Sequence, residues 1–154
     1  MAAGAFVFPN LAKLNFFNAT NLLNGTSTNF KLGLVTSSWT PNNATNEVWG
    51  DVSANEISAG NGYTAGGNTL TGVTLNQTSG TVKFTSSATS WTASGGSIPA
   101  WRYGVVYYNG TLNSKVNPLV GYFLGDSTPA DVPATTSGNS LTITPNASGI
   151  LSAT

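Results

Sequence analysis

The chain has 154 residues, no histidine and no cysteine, and five Lys and Arg against five Asp and Glu, giving zero formal charge. Imidazole and thiolate chemistry are closed to it, as are the usual zinc ligand sets, and it carries no electrostatic footprint for nucleic acid or an anionic membrane. With 40% hydrophobic and 10% aromatic residues it is too apolar for a disordered tail, and it is long enough for one domain with its own core.

The opening decapeptide MAAGAFVFPN has no basic stretch, and its apolar run is too short to cross a bilayer, so it reads neither as a secretory signal nor as a membrane span. Phe6, Val7 and Phe8 before Pro9 form either a first strand or an apolar arm over residues 1–9, and residues 10–154 form a single β-rich domain. Leu11, Leu14 and Phe17, then Leu22 and Leu23, recur near helical spacing, with Pro9 at the start and Asn24-Gly25 after the end. This predicts a short N-terminal helix.

From Phe30 the period changes to two. Phe30, Leu32 and Leu34 alternate with Lys31, Gly33 and Val35, which predicts a strand. Further strands are expected around Leu70 to Leu75, Val82 to Phe84, Trp91, Trp101 to Tyr108, Leu119 to Leu124, Leu141 to Ile143 and Ile150-Leu151. Asn109-Gly110 is a hairpin-turn signal, with Leu119 to Leu124 as the return partner. Short strands, dense turn residues and a single helix give an all-β fold: an antiparallel β-sandwich or barrel with one short N-terminal helix.

Candidate chemistry is sparse. Glu47, Asp51 and Glu56 fall close together, and Asp126 with Asp131 form a second pair; paired carboxylates serve glycoside hydrolysis, and clustered ones hold calcium. Neither stretch has the ligand spacing of an EF-hand, so structural roles are expected, with no catalytic residue, metal or cofactor assigned. GNGYTAGG at 60–67 looks like a phosphate-cradling loop but lacks the Lys-Ser/Thr ending, which leaves a turn built on positive φ. Asn-x-Ser/Thr triplets begin at Asn18, Asn24, Asn43, Asn76, Asn109 and Asn146, as this composition readily produces. Trp39, Trp49, Trp91 and Trp101 are core or interface anchors, or alternatively a platform on which sugars stack.

An ordered set of segments resembles a family of small virion structural proteins of tailed bacteriophages. It runs FKLGLVTSSWTP (30–41), VWGDVSANEISAGNGYTAGG (48–67), SWTASGGSIPAWRYGVVYY (90–108), PLVGYFLGDS (118–127) and NASGILS (146–152). The resemblance implies a virion structural protein with no catalytic motif; together with the uncharged, β-rich chain it gives the expectation of a non-enzymatic capsid decoration or cement protein on the outer surface of the head, bound to the major capsid protein and to copies of itself, with a trimer as the hypothesised oligomer. Phe6, Val7, Phe8, Pro9, Trp39 and Trp101 are then the candidate interface residues. The alternative is a tail, baseplate or fibre module that binds host carbohydrate through exposed aromatic rings.

Overall fold

A computed structural model describes residues 4–7, 9, 29–78, 81–128 and 130–153. The fold is all-β and antiparallel throughout. One layer is a five-stranded sheet in the order β1 (Phe6–Val7), β10 (Leu119–Leu124), β7 (Tyr103–Tyr108), β2 (Phe30–Val35), β3 (Asn68–Thr69). The facing layer consists of two smaller sheets. One pairs β11 (Ser140–Ile143) with β6 (Thr89–Thr92), and the other runs β12 (Leu151–Ala153), β5 (Thr81–Thr85), β4 (Thr74–Thr78). A small hairpin of β8 (Thr111–Leu112) and β9 (Lys115–Val116) sits between β7 and β10.

The strand sequences reflect how many faces each strand buries. In β6 and β11, Trp91, Leu141 and Ile143 point inward while Ser90, Thr92, Ser140 and Thr142 face solvent, the alternation of a half-buried sheet. The central strand β7 reads YGVVYY because both of its faces are covered, which removes the need for alternation. Its Val106 joins Phe30, Leu34, Phe84, Trp91, Ile98, Trp101 and Val120 in the main core between the layers. Its Val105 and Tyr107 face the other way, into a second cluster with Val35, Trp39, Trp49, Val52 and Leu119. That outer cluster is roofed by residues 36–57, which include two single-turn 3₁₀ segments, Trp49–Asp51 and Ser53–Asn55.

Strand glycines in the first layer make room for rings. A Cβ on Gly33 would strike the Trp49 indole, one on Gly104 the Phe123 ring, and one on Gly121 the Phe6 ring. Trp49 can therefore lie over β2 and stack on Tyr107, with ring centroids 4.6 Å apart and planes 15° from parallel. What looks in the sequence like a weakening glycine is the seat of an aromatic side chain.

The predicted helix at 10–23 lies outside the described residues. The tight turn signalled by Asn109-Gly110 is displaced: Asn113 and Ser114 carry the positive φ values, 47° and 61°, and close the β8–β9 hairpin. Gly110 is instead tied to Asn117, whose Oδ1 accepts from its N–H at 3.0 Å, while Leu119 to Leu124 does return along β7 as expected.

Candidate functional site

The candidate interface residues do not share one surface. Phe6 and Val7 form β1, opposite Phe123 and Tyr122 of β10, and Gly4 N–H donates to Leu124 O at 2.8 Å. Pro9 is fully buried, and Phe8 lies outside the described residues. Trp39 is 4% exposed and Trp101 1%, so neither presents a ring to a partner. Trp101 bridges to Val132 and fills the space over Gly125, while Trp39 meets Tyr103 and Tyr122 edge-on at 5.1 and 5.3 Å. Burial of a large ring outweighs its display, and the half-buried aromatics of the outer face are Tyr103 and Tyr122. Tyr122 donates to Asn43 Oδ1 at 3.0 Å, and burial pushes its hydroxyl pKa up.

Each of the chain's five carboxylates is tied into local structure. Glu47 pairs with Lys115 at 2.7 Å. Asp51 Oδ2 accepts from the backbone N–H groups of Glu47 and Val48, closing the first 3₁₀ turn. Asp126 Oδ1 accepts from the N–H and hydroxyl of Thr128 in an Asx turn. Asp131 accepts from Arg102 Nε at 2.7 Å and from the Ser37 hydroxyl at 3.2 Å, joining three loops. Glu56 Oε1 accepts from the Tyr63 hydroxyl at 2.7 Å and from Gly66 N–H at 2.6 Å. Among the described residues no group of three or more acidic side chains gathers as a metal site would require.

The glycine-rich loop 60–67 is the turn its composition predicts. Gly60, Asn61, Gly62, Gly66 and Gly67 all have positive φ. Its tyrosine has a role that no sequence pattern announces. β3 pairs only with Lys31 and Leu32, which leaves Leu34 at an unpaired edge of β2. The Tyr63 hydroxyl accepts from Leu34 N–H at 2.9 Å, and Ile57 N–H donates to Leu34 O at 3.0 Å, so the ladder is completed by a side chain and a loop. Tyr63→Phe removes that acceptor together with a donor to Glu56, and a loss of about 1–3 kcal/mol is expected in urea unfolding.

The same burial sets an alkaline limit. Tyr107 donates to Gly66 O at 2.7 Å, and desolvation, with the Glu56 charge adding, raises its pKa from 10.0 to about 12; Tyr63 is raised further for the same first cause. Above pH 10 the unfolded chain loses these protons while the folded chain keeps them, so the unfolded state binds fewer protons and stability falls as pH rises. Thermal melts are expected to drop steadily between pH 10 and 12, and Tyr107→Phe should flatten part of that slope.

One surface was not singled out by its sequence. On the exposed face of β6 and β11, Ser90 and Thr142 hydroxyls lie 3.0 Å apart, as do those of Thr92 and Ser140, forming an uncharged cross-strand ladder. Its signal is a hydroxyl at every second position opposite Trp91, Leu141 and Ile143. No family model, no curated protein and no solved structure matches the chain.

Proposed function

We propose that the chain is a non-enzymatic structural protein of a phage virion, a decoration or cement protein that binds and stabilises the assembled head from outside. Its partners are the major capsid protein and copies of itself. The observation that carries this reading is the engagement of all five carboxylates in turns, ion pairs and loop ties, which assigns the chain's scarce acidic groups to holding shape. A small two-layer body whose central sheet is buried on both faces suits a part that must stay folded outside a cell. Adding purified protein to heads that lack it is expected to give density on the outer capsid lattice and to raise the temperature at which the heads open. Density confined to the neck or tail, or no binding at all, would overturn the reading.

Deletion of residues 1–9 separates two roles for the N-terminus. Phe6 packs against the main core, so the deletion is expected to cost about 2 kcal/mol in urea unfolding. Unchanged stability with lost head occupancy would instead make the segment a docking arm.

A tail or fibre module binding neutral carbohydrate is the second reading, favoured by the half-buried Tyr103 and Tyr122 beside the Asn43 amide. It predicts glycan binding that Tyr103→Ala or Tyr122→Ala abolishes and that substitution of the buried Trp39 affects only through stability.

A further inference from the structure

Among the described residues the outer edge of β11 is an open sheet edge without the usual protection. Among the described residues β11 pairs only with β6, in a regular register of four consecutive pairs from Ser140↔Thr92 to Ile143↔Thr89. Sheets normally guard such edges with a charge, a proline, a bulge or a covering element. β11 reads SLTI, its pairing has no bulge, and Ser140 and Thr142 are exposed.

The phase of the ladder fixes which backbone groups are on offer. Ala93 N–H donates to Asn139 O at 2.9 Å. Counting by twos from there, Leu141 and Ile143 direct their N–H and C=O toward β6, while Ser140 and Thr142 direct theirs outward. This pattern is self-complementary. A two-fold axis through Leu141 sets Ser140 against Thr142 of a second copy, and Thr142 against Ser140, with outward groups facing outward groups and about four hydrogen bonds between the chains.

We propose that β11 is a homotypic docking edge, pairing antiparallel with β11 of a second copy to form a continuous β6–β11–β11–β6 sheet. The chemistry of the exposed face agrees with the register. The Ser90···Thr142 and Thr92···Ser140 hydroxyl pairs would each extend across the dyad into a row of four hydroxyls. Charge agrees as well: none of the four residues of either strand is ionisable, so two copies meet without repulsion.

Sedimentation analysis of the full chain across micromolar to millimolar concentration is the test, with a concentration-dependent dimer expected. Thr142→Pro removes an outward N–H that the folded chain does not use in its own ladder, and it should weaken dimerisation at least tenfold with the melting temperature of the monomer little changed. Thr142→Lys, at an exposed position, is the second variant; it sets a charge beside the opposing strand and should give a monomer at low salt. A wild-type chain that stays monomeric at millimolar concentration, or a dimer that both variants leave intact, would overturn the proposal.

Discussion

Gly67→Ala is expected to cost about 3–5 kcal/mol of stability, a large share of the roughly 5–15 kcal/mol that holds a typical small domain folded. Two effects add at this position. Gly67 has φ of +72°, a conformation that L side chains rarely adopt. Its would-be Cβ also points into the backbone of β2, onto the Leu32 carbonyl and Gly33 Cα, and no side-chain rotation relieves a clash with main chain. Relief would require loop 60–67 to lift, taking with it the Glu56, Tyr63 and Tyr107 hydrogen bonds that tie the loop to the sheet. Gly95→Ala is the control. Gly95 has a similar φ of +78° but open space around it, so only the backbone cost of about 1–2 kcal/mol is expected. Urea titrations of the two variants read the packing contribution by difference; equal losses would show that the close approach to β2 carries no energy.

These two glycines mark where sequence reasoning reaches its limit. GNGYTAGG reads as a turn because glycine and asparagine tolerate positive φ, a local property, and the turn is there. That Gly67 touches Leu32 and that Tyr63 caps Leu34 are contacts between segments about 30 residues apart, and no periodicity encodes them. Strand existence was legible for the same local reason. The alternation in FKLGLV and the apolar run in YGVVYY mark strands, and β2, β7 and β10 lie close to where the pattern places them; the second covered face of β2, with Gly33 under Trp49 and Val35 in the outer cluster, is not visible in its alternation. The Trp residues were harder to place, because a ring destined for the core and a ring destined for a partner look alike in sequence. Only the glycines beneath them, Gly33 under Trp49 and Gly125 under Trp101, separate the cases, and those glycines lie far away along the chain.

Trp101→Ala is the second large effect and decides between the two roles available to this residue. As an interface anchor, the truncated variant would fold with near-normal stability and lose its partner. As placed here, the ring is 1% exposed and packs against Gly125 and Val132, so truncation leaves a cavity costing about 3–5 kcal/mol in the isolated chain. The loss should also loosen Arg102 and Asp131, whose ion pair follows directly from the Trp101–Val132 bridge. Trp101→Phe is expected to cost much less than its lost volume implies. The indole N–H has no hydrogen-bond partner among the described residues, and the substitution removes that buried donor along with part of the ring. The site can be probed from the other side, since a Cβ on Gly125 would lie 2.6 Å from both the Trp101 ring and Val132 Cγ2. Gly125→Ala alone should destabilise by about 1–3 kcal/mol through overpacking. Combined with Trp101→Phe it should cost less than the two single changes together, because the smaller ring vacates part of the space the new methyl needs. Strict additivity would place the two residues out of contact and return Trp101 to the list of interface candidates.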